Sequence, residues 1–266
     1  MNERNIRQSF LGEKSDERLR NFKVGLVGLG GGGSHVAQQL AHVGVGRYVT
    51  ADGDVIEDKN LNRLIGGTAQ DVMDQRAKGD IARRTILRIN PNAHIEHISG
   101  NWQSEAEKLR DCHVVFGCID GFAARAELEA YCRRFLIPLI DIGMDVYELG
   151  ARFHISGQVI VSMPGAPCMR CMGFINDRRL AEEARKYGAA GGRPQVVWPN
   201  GVLASTAVGL AIALITPWSD TRPSSFLEYN GDDHLMRPSN VMKLLDKRPC
   251  PHYDPTSVGD PFYARP

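Results

Sequence analysis

Four closely spaced glycines and one aspartate are the first residues suited to chemistry. Gly28, Gly30, Gly31 and Gly33 form a GxGGxG pattern between an apolar run and a helix-like segment. Glycine lacks a Cβ atom, so the backbone can turn sharply there and approach a phosphate or ribose. Asp52 ends the next apolar run, where a carboxylate can accept hydrogen bonds from ribose hydroxyls. Together these residues indicate a nucleotide site; the alternative is that the glycines only allow a strand to pack closely on a helix.

A pair of cysteines forms the second candidate group. Cys168 and Cys171 have the C-x-x-C spacing within PGAPCMRCMG, and such a turn supplies half of many tetrahedral zinc sites. The chain has six cysteines, but in a reducing compartment this number does not indicate a disulfide framework. The alternative is that these cysteines are reduced and behave as small apolar residues.

An alternation of apolar runs and helix-period segments predicts the elements that position these residues. The runs lie at 24–30, 47–52, 94–98, 112–119 and 137–143, and the clearest helical segments at 77–89 and 122–135. This order is typical of a parallel sheet with helices on both faces. The fold class that we expect is therefore α/β, with a Rossmann-like mixed sheet.

The C-terminal half has a different pattern. In ARFHISGQVIVSMPG, two β-rich stretches flank Gly157 without a helix between them, which predicts antiparallel strands added to the sheet. A long apolar helix, a strand near FLEYN and an irregular tail follow. We expect one domain over 1–266, which begins with an N-terminal arm (1–22) and a nucleotide-binding half (23–145). The last part (146–266) contains the antiparallel extension, the turn of Cys168 and Cys171, which we call the cysteine knuckle, and the tail.

Composition excludes several classes of partner. Lys and Arg number 32 against 31 Asp and Glu, so the overall charge gives no general attraction to nucleic acid or anionic membranes. The N-terminus has no apolar core of a secretory signal, which makes a cytoplasmic location the expectation. The apolar stretch at 202–216 is shorter than the roughly 20 residues that span a bilayer, so it predicts a buried helix.

Six ordered segments resemble the ThiF/MoeB/HesA adenylyltransferases: VGLGGGGSHVAQQLAHVGVG, DGDVIEDKNLNR, AKGDIA, INP, GCIDG and PCMRC. The resemblance covers about residues 6–252, and six motifs in order are more specific than one glycine loop. It implies an ATP site at the C-terminal edge of the sheet, with Asp52 on the ribose. It also implies Asn60 and Arg63 at the phosphates, Lys78 on the β- and γ-phosphates, and Asp120 on Mg²⁺.

The same resemblance implies a reaction and its partners. The enzyme would transfer AMP to the C-terminal glycine of a ubiquitin-like or sulfur-carrier protein. Arg7 would reach into the ATP site of a second subunit, which makes a homodimer the expected active form. No cysteine lies between Met172 and Pro249, so we expect the reaction to stop at the acyl-adenylate. An external thiol, on a conjugating enzyme or a sulfur donor, would then accept the acyl group.

The resemblance also implies a completed zinc site, with one departure from the family pattern. The family closes the site with a second C-x-x-C pair near the C-terminus. Here the corresponding segment RPCPHYD has Cys250 but no fourth cysteine, and His252 is the candidate replacement.

Three alternatives remain open at this point. A related dehydratase adenylates a carboxylate on modified tRNA, and YCRRFLIPLI is slightly similar to it, but the near-neutral charge and the PCMRC cysteines argue against this. A non-catalytic scaffold would not need Arg63, Lys78 and Asp120. An NAD-dependent dehydrogenase would leave Arg63 and Lys78 without a purpose.

Overall fold

The strands of the computed structural model form one mixed sheet. The structure describes residues 3–185, 194–221, 224–245, 248, 250–254, 256 and 258. In chain order the strands are β1 (Lys23–Val27), β2 (Arg47–Ala51), β3 (His94–Ile98), β4 (Val114–Gly117), β5 (Leu139–Leu149), β6 (Arg152–Ser162), β7 (Phe226–Asn230) and β8 (Leu235–Pro238). Within the described residues their spatial order is 3-2-1-4-5-6-7-8. The first five strands in that order are parallel and the remaining pairings are antiparallel.

The α-helices cover both faces of the sheet. They are α1 (Ser15–Asn21), α2 (Gly31–Val43), α3 (Ala69–Met73), α4 (Lys78–Ile89), α5 (Phe122–Arg134), α6 (Asp177–Arg185), α7 (Val197–Ile215) and α8 (Val241–Leu245). Short 3-10 helices occupy Glu3–Leu11, Asp58–Asn60 and Trp102–Leu109. The α/β class, the helices on both faces and the antiparallel extension are thus confirmed.

The central strands are apolar throughout because each buries both of its faces. Successive side chains of a strand point to opposite sides of a sheet. Val114 and Phe116 of β4 therefore pack in the core beneath α2 and α7, whereas Val115 packs in the core beneath α5. The two cores fix the sheet between its helical layers, so the carboxyl ends of the parallel strands form a common edge.

Gly157 lies within one continuous strand, although the sequence pattern places it between two β-rich stretches. All of β6 pairs with β5, and the turn between them is at Gly150, whose φ is +66°. A Cβ atom on Gly157 would lie 2.8 Å from the Leu203 side chain and 3.0 Å from the Gly143 carbonyl. The glycine thus allows α7 to pack closely on the sheet, and does not form a turn.

The predicted buried apolar helix corresponds to α7. This helix has 19 residues and is long and apolar enough, by length and composition alone, to cross a membrane. Half of it is buried in the fold, where Leu203, Ala207 and Ala211 pack in the same core as residues of α2. Its apolar character therefore has an explanation within the core.

Candidate functional site

A cleft lies beyond the carboxyl ends of β1, β2 and β4. Its volume is about 350 Å³, and five of the predicted residues line it: Gly28, Gly30, Asp52, Lys78 and Asp120. A smaller cavity of about 90 Å³ adjoins it, and its lining includes Gly31, Asn60 and Arg63. Gly30, Lys78 and Asp120 line both cavities, so the two form one elongated site.

The glycines have different local roles. A Cβ atom on Gly33 would lie 1.9 Å from the Gly28 carbonyl oxygen, and one on Gly28 would lie 2.4 Å from the Cys118 carbonyl oxygen. These two positions serve close backbone packing, as the structural alternative predicts. Gly30, which caps α2, would meet nothing within 4 Å. Its open surroundings leave room for a ligand against the backbone, as the nucleotide interpretation requires.

Both carboxylate oxygens of Asp52 are held by backbone amides. Oδ2 accepts a hydrogen bond from the Leu29 amide at 2.6 Å, and Oδ1 accepts one from the Asp54 amide at 2.9 Å. The first bond ties the end of β2 to the glycine loop after β1. The carboxylate is therefore fixed at the cleft before any ligand is present.

Asn60 and Arg63 are positioned by a short 3-10 helix. Asn60 is buried, and its Oδ1 accepts a hydrogen bond from the Glu57 amide at 3.0 Å, which caps the helix. Arg63 donates to the Lys59 carbonyl at 2.6 Å and to Asn62 Oδ1 at 2.9 Å. Arg63 lines the smaller cavity, and its Cδ lies beside Gly31.

A buried carboxylate stabilises the loop between Arg63 and Lys78. Asp71 accepts two hydrogen bonds from the Arg84 guanidinium, both at 2.7 Å, and Arg76 Nε lies 2.9 Å from it. Hydrogen bonds from Arg84 hold the pKa of the Asp71 carboxyl well below its usual range, although burial acts in the opposite direction. These contacts fix the end of the loop, where α4 begins at Lys78 and the chain again reaches the site.

Asp120 follows β4, and its exposed side chain lines the cleft, where its carboxylate is accessible to a cation. Glu183 of α6 caps the adjoining helix, because its carboxylate accepts hydrogen bonds from the Phe122 and Ala123 amides at 2.8 and 2.9 Å. This contact fixes the start of α5 directly after Asp120.

Arg125 lines the smaller cavity, although the sequence patterns do not indicate it. It lies on α5, is buried and lines the smaller cavity together with Arg63 and Lys78. Its guanidinium pairs with Asp141 of β5 and donates to the Ile142 carbonyl at 3.1 Å. Burial raises the pKa of Asp141 to about 6, and the charge of Arg125 acts against that rise. The available signal was its position five residues after Asp120, but a charged residue on a helix is usually exposed.

Arg7 and Cys118 differ from the residues described so far. Arg7 is exposed on the N-terminal 3-10 helix and does not line the cavities of its own chain. Gln8 beside it anchors the helix by donating to the Val43 carbonyl at 3.0 Å. Cys118 lines both cavities, but burial raises the pKa of its thiol, so it is a poor nucleophile.

The predicted metal ligands come together at a second site. Sγ of Cys171 lies 3.7 Å from Sγ of Cys168 and 3.6 Å from Sγ of Cys250. His252 Nδ1 lies 3.4 Å from Cys168 and 3.3 Å from Cys171. All four donor atoms are within 4.8 Å of one another, which suits a four-coordinate metal ion. The histidine thus occupies the position of the absent fourth cysteine.

A buried polar network connects this cysteine cluster to α5. Glu129 accepts hydrogen bonds from the Met169 amide at 2.9 Å and from the Ser162 hydroxyl. Arg133 donates to Ser162 Oγ and, at 2.8 Å, to the Ala166 carbonyl just before the knuckle. Such a network is rigid because its buried polar groups have partners. The same helix thus contacts both the cleft and the cysteine cluster.

Comparisons with known proteins identify the family of the chain. The model of the ThiF family matches residues 2–249. The sulfur carrier protein ThiS adenylyltransferase of Escherichia coli is 30% identical over 211 residues, which cover 77% of this chain and 78% of that protein. The molybdopterin-synthase adenylyltransferase of E. coli is 28% identical, with 88% of each chain covered. The SAMP-activating enzyme E1 of Haloferax volcanii is 32% identical over 64% of this chain, and the match spans only 60% of that protein.

A solved structure supports the fold independently. The crystal structure of E. coli MccB with ATP superposes with a TM-score of 0.73 at 22% identity, over 91% of this chain and 72% of that one. At this level of identity, the likeness concerns the fold alone. The family model covers nearly the whole chain, and the residues that the resemblance assigns to ATP line two adjoining cavities. The chain belongs to the ThiF family.

Proposed function

We propose that this protein adenylates the C-terminal glycine carboxylate of a ubiquitin-like or sulfur-carrier protein, with ATP as the second substrate and pyrophosphate as the product. The observation that carries the proposal is the convergence of Arg63, Lys78, Arg125 and Asp120 beside the open backbone at Gly30. Adenylyltransferases that act on a sulfur carrier and on molybdopterin synthase are among the relatives.

The chemistry requires positioning rather than a general base. An α-carboxyl has an unperturbed pKa of about 3.3–3.7, so the attacking carboxylate is already ionised at neutral pH. Its oxygen attacks the α-phosphorus, and the bond from that phosphorus to the bridging oxygen of pyrophosphate breaks. The negative charge that develops on pyrophosphate is stabilised by preorganised cationic groups. Arg63 offers a planar fork of donors, and Lys78 offers a compact charge.

A magnesium ion would be bound by Asp120 together with the phosphates. Mg²⁺ usually binds to one or two carboxylates and to substrate oxygens, and it retains several waters. Asp120 suits this role because it is exposed to both cavities. The ion would neutralise charge on the triphosphate, while Asp52 would hold the ribose through its free lone pairs.

Zinc is the metal that we assign to the cysteine cluster. Tetrahedral zinc, at about 2.3 Å from sulfur and about 2.0 Å from nitrogen, separates its ligand atoms by roughly 3.5–3.8 Å. Four of the six distances between donor atoms of Cys168, Cys171, Cys250 and His252 are 3.3–3.7 Å, and all six are within 4.8 Å, in agreement with this geometry. The ion would have a structural role, because it would join the knuckle to the C-terminal segment.

The active form that we propose is a homodimer with two shared sites. Arg7 is exposed in the middle of the N-terminal 3-10 helix and does not line either of the two cavities of its own chain. An arginine in this position is available to a second copy, whose phosphate site would gain a further positive charge. By two-fold symmetry, each subunit would complete the site of the other.

After adenylation, we propose that an external thiol takes the acyl group. Cys118 is the cysteine that lines the cleft, and burial disfavours its thiolate. A conjugating enzyme or a sulfur donor would supply the nucleophile. We place the protein in the cytoplasm, a reducing setting in which six cysteines without a disulfide are expected. The nearly balanced charge gives no support for nucleic acid as a partner.

Pyrophosphate exchange tests the proposed reaction. Purified protein is incubated with Mg²⁺, ATP and labelled pyrophosphate, together with one candidate ubiquitin-like protein at a time. We expect incorporation of label into ATP only with a carrier that ends in glycine. The matched control is the same carrier without its last glycine. Exchange that is equally fast with the truncated carrier would contradict the assignment of the attacking group.

A further inference from the structure

The far end of the cleft holds a polar side chain that has no part in the proposed chemistry. Lys78 and Asp120 mark the phosphate end, where the cleft joins the smaller cavity. Asp52 follows β2, and the next strand along the sheet edge, β3, leads into Asn101, Trp102 and Gln103, which also line the cleft. With the ribose at Asp52 and the phosphates at Lys78 and Asp120, the purine base would lie at the end lined by Asn101–Gln103. This placement rests on the proposed function.

The amide of Gln103 has a defined orientation. Its Nε2 donates a hydrogen bond to Oε2 of Glu127 at 2.8 Å. An ionised carboxylate only accepts hydrogen bonds, so the amino group of the amide must face Glu127. The carbonyl oxygen Oε1 of Gln103 is therefore presented away from Glu127 as an acceptor.

The elements that carry these two residues are held together. Trp102, which precedes Gln103 on the 3-10 helix, is buried and packs edge to face against Tyr131 of α5, with 5.2 Å between ring centroids. The Tyr131 hydroxyl donates to the Ala106 carbonyl on the same 3-10 helix. Gln103 thus lies on a turn that is fixed against the helix of Glu127.

We propose that Gln103, oriented by Glu127, accepts a hydrogen bond from the 6-amino group of adenine and makes the site selective for ATP over 6-oxopurine nucleotides. Adenine carries a donor at position 6, whereas guanine and hypoxanthine carry an acceptor oxygen there. An oxygen opposite Oε1 of Gln103 would leave two acceptors facing each other. Glu127 is a positioning residue, since it prevents the amide from turning its amino group toward the base.

Nucleotide binding tests this inference without a carrier protein. The full chain is titrated by calorimetry with Mg²⁺-ATP and with Mg²⁺-ITP, whose purine rings differ in the group at position 6 and in the proton that hypoxanthine carries on the neighbouring N1. We expect a preference of roughly tenfold for ATP, from one hydrogen bond gained and one repulsion avoided. Gln103→Leu should bring the two affinities close to equality by weakening the binding of ATP.

Glu127→Ala gives a readout that structural damage does not produce. Without the carboxylate the amide can reverse, donate to a 6-oxo group and strengthen the binding of ITP severalfold. Glu107→Ala, an exposed change on the same 3-10 helix, is the matched control and should keep the wild-type preference. Equal binding of ATP and ITP by the wild-type protein, or an unchanged preference in Gln103→Leu, would overturn the inference. Failure of the wild-type protein to bind ATP would instead refute the proposed function itself.

Discussion

The ammonium group of Lys78 lies 2.6 Å from the carboxylate of Asp54 in the cleft. The lysine side chain is largely buried, whereas that of Asp54 is 72% exposed. The backbone supports the pair, because the Lys78 amide donates to the Asp54 carbonyl at 2.9 Å. A triphosphate that reaches Lys78 must therefore compete with a carboxylate that is already present.

We expect Asp54→Asn to bind Mg²⁺-ATP several times more tightly than the wild-type protein. The change removes one negative charge near the triphosphate and releases Lys78 from its partner. Equilibrium titration at low ionic strength measures the effect, which salt should reduce. Asp58→Asn, a change on the neighbouring 3-10 helix, is the control. Weaker binding by Asp54→Asn would mean that Asp54 mainly orients the lysine.

Asp120→Ala should abolish pyrophosphate exchange and leave the fold intact, because the carboxylate is exposed and, in the proposed reaction, binds only the metal ion. Arg63→Ala and Lys78→Ala should each lower the rate by on the order of 10² or more, as removal of a preorganised donor does. Circular dichroism serves as the check on folding. A decrease of only a fewfold would indicate that Arg63 and Lys78 are ordinary surface charges.

Two inactive chains should restore activity when they are mixed. In a heterodimer of Arg7→Ala and Asp120→Ala chains, one site combines an intact Asp120 with an intact Arg7, and the other site lacks both. The expected activity is about half that of the wild-type dimer, measured by pyrophosphate exchange on a heterodimer purified through two different tags. A heterodimer without activity would show that Arg7 does not act across the subunit boundary.

Metal analysis of Cys168→Ser tests the zinc assignment. The wild-type protein should carry one zinc per chain, and the variant should lose it, since one of four ligands is replaced by a weaker one. The variant should also melt at a lower temperature, because metal binding contributes to folding. Cys132→Ser, which alters a buried cysteine on α5, should keep its zinc. Purified wild-type protein without stoichiometric zinc would end the assignment.

The Asp71 carboxylate should contribute stability that depends on pH. Asp71→Asn should lower the free energy of unfolding by about 2 kcal/mol at pH 7, because the hydrogen bonds from Arg84 weaken and the ion pair with Arg76 is lost. The pKa of Asp71 is depressed in the folded protein, so its contribution is present above the unfolded value of about 3.9 and is lost as the pH falls. Urea denaturation at pH 7 and pH 3 should show a smaller difference at the lower pH. Asp74→Asn is the exposed control, and an equal difference at both pH values would contradict the linkage.

Short motifs in the sequence predicted much of the site because local spacing fixes their geometry. Gly28 to Gly33 and Asp52 follow neighbouring parallel strands, so they meet at the sheet edge in any fold of this class. The alternation of apolar runs likewise predicted the order of strands and helices. Cys168 and Cys171 are close in the sequence, so a single turn brings them together. Their partners Cys250 and His252 are distant in the sequence and reach them only in the folded chain.

The remaining features depend on contacts between segments far apart in the chain. Arg125 reaches the smaller cavity because it pairs with Asp141 on the next strand, and no local pattern indicates that partner. The pairing of Lys78 with Asp54 requires closure of a long loop, which the buried Asp71 stabilises. The family resemblance indicated His252 as a candidate ligand, but its contact with Cys168 requires residues 250–254 to lie against the turn of Cys168 and Cys171. Each is a property of tertiary packing, which hydrophobic periodicity does not encode.

The contacts of α5 determine how this part of the protein unfolds locally. Along its length it places Arg125 at the cleft, Glu127 against Gln103, and Glu129 and Arg133 in the network under the knuckle. Because α5 contacts both sites, we expect the two sites to unfold together as one cooperative unit. The amide protons of α5 should then exchange with solvent at the slow rate of that whole unit. If the cysteine cluster lost its order, the amides of α5 beside the nucleotide site should also lose their protection from hydrogen exchange.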